Sequence, residues 1–290
     1  MAGVRGSGRA LCLWCTLFLQ GITCGFADGD GLVDGRSRVA LVVGNATYET
    51  APLRNPVRDA RAVADSLTRL GFRVTLRTDL DLPKMLDALT RFARETRNDD
   101  VRLFFYAGHG LQFGGKNYLL PVEARIDSLD DISTAGADVE LLIDHLQRPG
   151  KGLNIVILDA CRNYPLALTA RPVTRGARPI QSVEGLVEIL APRGTIIALS
   201  TAPGSVARDG VDTHSVYVKH LLANLGVPGL SVEQLFKRVR TGVMTETDQK
   251  QVPWENSSLV GNFCFRPGPR GECPGTDSTF SSAQPTPAPR

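Results

Sequence analysis

Outside its first 27 residues the sequence has no apolar run long enough to cross a bilayer. It has no excess of one charge either. The 33 basic and 30 acidic residues leave +3, and this near-balance excludes a global electrostatic footprint for nucleic acid or for an anionic membrane surface. No internal repeat is present, so solenoid and propeller architectures fall away. None of the His and Cys spacings resembles a zinc site. A dense carboxylate loop of the calcium-binding kind is also missing, with Asp127, Asp130 and Asp131 forming only a loose cluster. What is there is ordinary for a globular protein: 290 residues, 42% hydrophobic and 22% charged, which excludes collagen-like, coiled-coil and wholly disordered chains.

The first 27 residues read as a secretory leader. Arg5 and Arg9 precede an apolar stretch from Ala10 to Ile22, and Gly25-Phe26-Ala27 is a small-x-small cleavage site before Asp28. A secreted or periplasmic location follows. Without the leader the chain carries 31 basic against 30 acidic residues, or +1, and its only link to a membrane is that leader. Cys12, Cys15 and Cys24 leave with it, so Cys161, Cys264 and Cys273 remain. Cys264 and Cys273 are a candidate late disulfide; alternatively, Cys264 is simply a buried small hydrophobe.

From Arg38 onward, short β-rich runs alternate with helical stretches, the pattern of an α/β fold with a mostly parallel central sheet flanked by helices. Strands are expected at 38–43, 72–76, 101–106, 116–121, 153–158 and 195–199, with a last one near 259–265. Helices are expected from Asn55-Pro56 to Gly71, from Asp81 to about Thr96, and at 138–147, 213–225 and 231–245. Residues 164–193 break the rhythm with four prolines and several arginines and read as a long exposed loop, and the chain beyond Pro267 reads as a disordered tail.

In an open parallel sheet, ligands bind beyond the carboxyl ends of the strands. Gly108-His109-Gly110 follows one such strand and Asp159-Ala160-Cys161 another, 52 positions later. An imidazole and a thiol side by side suit thiolate attack on an acyl carbon: the His ionises the thiol and protonates the leaving amine, and main-chain N–H groups hold the oxyanion. Gly110 suits the last task because a residue without Cβ lets a substrate approach the backbone closely. Taken singly, each residue also reads as structural, the His as a hydrogen-bonded strand end and the Cys as core. His145, His214 and His220 fall on expected helices with no recognisable partner and read as structural.

Tyr106-Ala107-Gly108-His109-Gly110 and Asp159-Ala160-Cys161-Arg162-Asn163 resemble the catalytic His and Cys segments of caspase-like cysteine peptidases, the clan of caspases, metacaspases and their bacterial relatives. Ser200-Thr201-Ala202-Pro203-Gly204 resembles the small-subunit loop of caspases, and Trp254 with the closing strand is similar to the end of the domain in bacterial members. The resemblance covers about Arg38 to Arg266. It implies the caspase-haemoglobinase fold, catalytic His109 and Cys161, and an oxyanion hole from the Gly110 and Cys161 amides. It also divides the chain into a leader at 1–27, a peptidase domain at 36–266 and a tail at 267–290. Within the domain lie a large-subunit-like part (36–163), an exposed linker (164–193) and a small-subunit-like part (194–266). Protein or peptide substrates are implied, and no cofactor is called for, calcium activation of some relatives notwithstanding.

The caspase signature Gln-Ala-Cys-(Arg/Gln/Gly)-Gly is altered here, with Asp159 in place of the Gln and Asn163 in place of the final Gly. In the metacaspase branch an acid does stand two before the Cys, and another near the start of the first helix shares the pocket for a P1 Arg or Lys. Asp59 sits where that second acid is expected, and it reads equally as a first-turn carboxylate favoured by the helix dipole. Asp209 stands near where caspases carry an Arg. Three acids would attract a guanidinium and repel an acidic P1; Arg54, close to Asp59 in sequence, is the counterweight. The expected function is a cysteine endopeptidase cutting after Arg or Lys. The alternatives are a catalytically silent interaction or scaffold module on the same fold and, further off, an acyl or amide transferase.

Overall fold

Strands that are apolar at every position bury both faces, so they belong in the middle of a sheet covered on two sides. Four largely apolar runs, 38–44, 101–108, 153–160 and 195–199, are buried at every position and form the centre of this molecule. The computed structural model describes residues 36–97, 100–126, 131–147, 152–160, 186–202 and 213–273. The expected leader, Cys161, Asp209, Asp127, Asp130, residues 164–185 of the linker and 274–290 of the tail lie outside them.

The described elements run β1 (Arg38–Gly44), α1 (Pro56–Arg69), β2 (Arg73–Thr78), α2 (Leu82–Glu95), β3 (Val101–Gly108), β4 (Gly110–Phe113), β5 (Lys116–Leu119), α3 (Asp131–Ala135), β6 (Ala137–Asp138), α4 (Val139–Leu146), β7 (Leu153–Ala160), β8 (Thr195–Leu199), α5 (Val216–Leu225), α6 (Val232–Glu246) and β9 (Trp254–Ser257). The main sheet has the order β2-β1-β3-β7-β8-β9. It is parallel throughout except for β9, which runs antiparallel to β8. A small sheet β4-β5-β6 stands beside it. This is the mostly parallel α/β architecture expected from the alternating pattern.

The period of two along each strand sorts the core into two layers. Leu103, Phe105, Ile155 and Ile157 pack under α1, α5 and α6, whereas Phe104, Tyr106, Val156 and Leu158 pack against α2 and α4. Side-chain caps set the helix starts: Asp81 accepts from the Lys84 amide, Asp138 from Leu141, and Ser231 forms a reciprocal box with Gln234. Among the described residues no helix is long and apolar enough to cross a membrane.

Four expectations are corrected. The closing strand is β9, not 259–265. The run Phe263-Cys264-Phe265 is buried off the sheet, where the Arg38 guanidinium donates to the Cys264 and Phe265 carbonyls and lies over the Phe263 ring; β9 itself is a half-exposed polar edge with no hydrophobic signature. The linker is not exposed throughout, because Leu186 and Ile189 are buried in the α2–α4 layer and Asn117 bonds both main-chain groups of Val187. The chain past Pro267 stays ordered through Cys273, which is disulfide-bonded to Cys264. Helix α5 begins at Val216 behind the cap Ser215, three residues later than expected, so His214 stands before the helix rather than on it.

Candidate functional site

The parallel register of β3 and β7 pairs Ala107 with Asp159 and Gly108 with Ala160. In the sequence His109 follows β3, and Cys161, outside the described residues, follows β7. Gly108 and Gly110 are required by space at this junction. A Cβ on Gly108 would stand 2.6 Å from both the Tyr48 and Tyr106 hydroxyl oxygens, and one on Gly110 would stand 3.1 Å from the Ala160 Cβ. Glycine therefore lets the ends of β3 and β7 close on each other.

His109 is only 1% exposed. Its amide donates to the Tyr48 hydroxyl at 2.9 Å, and its carbonyl accepts from the Tyr106 hydroxyl at 2.9 Å and from the Leu120 amide at 3.0 Å. The ring packs tilted on Tyr48 with centroids 4.4 Å apart. Its Nε2 lies 2.8 Å from the Ala51 carbonyl oxygen. A carbonyl can only accept, so Nε2 carries the proton and Nδ1 holds the lone pair in the neutral ring. Ala51 reaches this position at φ 59°, a left-handed conformation that costs a residue with a Cβ about 1 kcal/mol. Neither Tyr48 nor Ala51 was a candidate from sequence, since both lie in the irregular segment after β1 and belong to no motif.

Asp59 and Asp159 come together. Asp59 lies in the first turn of α1 and Asp159 near the end of β7, and both are fully buried. The start of α5 bridges them. The His214 Nδ1 donates to Asp59 Oδ1 at 2.6 Å, the Ser215 amide donates to Asp59 Oδ2 at 3.2 Å, and the Ser215 hydroxyl donates to Asp159 Oδ2 at 2.6 Å. Burial and the neighbouring Asp159 push the Asp59 carboxyl up to about 6, against which the bonds from His214 and Ser215 pull it down. The first-turn helix-dipole reading of Asp59 is thus incomplete: its partners come from 155 residues away. Arg54 is exposed, and its carbonyl accepts from the Arg58 side chain.

His214 is the residue that sequence reasoning missed here. Misplaced on a helix, it looked partnerless; a correct start of α5 at the Ser215 cap would have left it in the crevice. His220 and His145 do lie on helices, and His220 pairs with Glu246 at 2.8 Å. The Ser200, Thr201 and Tyr217 hydroxyls are buried with no hydrogen-bond partner among the described residues, and of these Tyr217 feels the charge of Asp159. Burial together with the nearby Asp159 raises the Tyr217 phenol well above its ordinary range. Among the described residues no group of three or more His, Cys, Asp or Glu side chains could hold a metal ion.

A parallel sheet whose strands end at His109 and at the acidic approach to Cys161, with a second sheet beside it, is the arrangement of a caspase-like peptidase domain. The caspase domain family model matches residues 37–264, so the chain belongs to that family. It is also similar to the Mucosa-associated lymphoid tissue lymphoma translocation protein 1 of Homo sapiens and to its homolog in Mus musculus. Each match is 30% identical over 128 residues, covering 44% of this chain. The chain spans about 15% of the length of those relatives.

Proposed function

We propose that the chain is a cysteine endopeptidase that cleaves peptide bonds after Arg or Lys, with Cys161 as nucleophile and His109 as its base. Nδ1 of His109 takes the thiol proton while the Ala51 carbonyl holds Nε2–H. The thiolate adds to the scissile carbonyl, and the Gly110 and Cys161 amides receive the oxyanion. The imidazolium then protonates the leaving amine, and water releases the acyl group from sulfur.

The observation that carries the substrate class is the buried pair Asp59 and Asp159, the latter two residues before the nucleophile. Two carboxylates withdrawn from water side by side favour a guanidinium or ammonium and disfavour an acid. Asp209 would add a third charge. The Cys264–Cys273 disulfide supports an oxidising, exported location. Digestion of a peptide library, with product termini read by mass spectrometry and Cys161→Ala as control, tests the reading.

A second reading, a catalytically silent interaction module, draws support from a different aspect of the same residues. Asp59, Asp159, His214 and Ser215 already bond one another, which fastens α5 to α1 and β7 with no ligand present. Labelling of Cys161 by a peptidyl-arginine electrophile separates the two: an enzyme reacts far faster than its His109→Ala variant and far faster than with the matched peptidyl-aspartate reagent, whereas a silent module reacts at the same slow rate in each case.

A further inference from the structure

Of the groups bonded to Asp59, Ser215 is wholly buried and His214 alone reaches the surface, its side chain 28% exposed. His214 therefore sits between the acid pair and solvent. Two carboxylates buried against each other do not both ionise readily, because each raises the cost of charging the other. Something has to offset that cost if Asp59 is to meet a cationic side chain as an anion. The Ser215 amide supplies one hydrogen bond and the Ser215 hydroxyl serves Asp159. His214 supplies the remaining bond, at 2.6 Å, and among the described residues it is the one basic side chain acting on Asp59.

We propose that His214 is a positioning residue for substrate recognition: held on Asp59 Oδ1, it keeps that carboxylate ionised so that a basic P1 group can be bound near neutral pH. The proposal rests on the basic-P1 reading above and adds a residue and a pH dependence to it. The groups acting on the pair are the two acids themselves, from α1 and β7, His214 and Ser215 ahead of α5, and Tyr217 within it. Both bonds to Asp59 lower its proton affinity, and burial and Asp159 raise it. Removing His214 leaves the raising influences in place. Asp59 then holds its proton to higher pH, and an arginine side chain must displace that proton before it binds. Above that range Asp59 is ionised with or without the imidazole, so the effect of the substitution fades.

The test uses the full chain carrying Cys161→Ala, so that peptides bind without turnover. Affinity for a peptide with Arg at P1 is measured from pH 5 to pH 8.5, alongside matched peptides with Ala or Asp at P1. In this background Arg affinity should fall as pH drops through about 6. Adding His214→Ala should move the half-point of that fall upward by about one pH unit, leaving affinity at pH 8.5 within about threefold. His214→Gln, which keeps a hydrogen-bond donor on a side chain that is not basic, should lie between. An unmoved half-point, or a loss that is equal at every pH, overturns the role given to His214 while leaving the basic-P1 reading intact. Preference for the Ala or Asp peptide before His214 is changed overturns the basic-P1 reading and this inference with it.

Discussion

His109 is held by neutral groups, the Tyr48 and Tyr106 hydroxyls and the Ala51 carbonyl, within the sequence span 48–120. Asp59 and Asp159, which repel each other, are held by hydrogen bonds from His214 and Ser215 at the start of α5. The first arrangement is closely packed around Gly108 and Gly110. The second carries a carboxyl raised to about 6 and an imidazole on its solvent side. The difference teaches that the residue proposed to move a proton is held by hydroxyls and a carbonyl that carry no charge near neutral pH. The pair proposed to choose the substrate includes a carboxyl raised to about 6. Substitutions should therefore separate into two kinds of consequence.

The largest effects fall on the His109 side. Cys161→Ala should abolish hydrolysis, and His109→Ala should lower kcat/KM by about 10³-fold or more, since the thiol stays mostly protonated without its base. By circular dichroism Cys161→Ala should melt as the parent does, and His109→Ala should still fold but melt lower, having lost a buried ring and its bond to the Ala51 carbonyl. Next comes the acid pair. Asp159→Asn should cost about 2 to 5 kcal/mol in kcat/KM for an Arg substrate, the usual penalty for removing one partner of a buried charge pair, and should leave an Ala-P1 substrate nearly untouched.

Stability is expected to move the opposite way at Asp59. Its folded-state value of about 6, against an ordinary 3.8, means that the folded protein holds this proton more tightly than the unfolded chain. That stabilisation is complete below about pH 4 and is lost as pH rises through about 6. Asp59→Asn should thus gain up to about 3 kcal/mol over the parent at pH 7.5 while losing Arg recognition, and the gain should vanish near pH 4. Thermal melts at the two pH values check it. Tyr48→Phe leaves the buried His109 amide without its acceptor and should cost about 1 to 3 kcal/mol of stability with no change in the shape of the pH profile. The smallest effect is expected of Ala51→Gly, which keeps the carbonyl that holds Nε2 and relieves the positive φ, for a gain of up to about 1 kcal/mol in chemical denaturation.

The same contrast explains what could be read from the residues alone. His109 and Gly110 were legible because they follow an apolar strand directly, and the alternation of strands and helices revealed the parallel sheet. Asp59 and Asp159 were legible as acids at the right ends of α1 and β7. Their partner was not: His214 is 155 residues from Asp59, and a helix start placed three residues early turned it toward the wrong neighbours. Ala51 carries no side-chain signal, because its contribution is a carbonyl oxygen. Phe263 and Phe265 looked like a strand because burial by the Arg38 guanidinium and burial by a sheet leave the same apolar run. Sequence patterns report that a residue is covered and do not report what covers it.

The most direct measurement is steady-state kcat/KM at pH 7.5 on four peptides differing only at P1, with Arg, Lys, Asp or Ala, for the parent and for Asp159→Asn. Arg and Lys peptides should be cleaved well above the other two in the parent, with the advantage reduced sharply by the substitution. Equal turnover of all four peptides, or a preference for Asp at P1, would contradict the role given to the buried carboxylates.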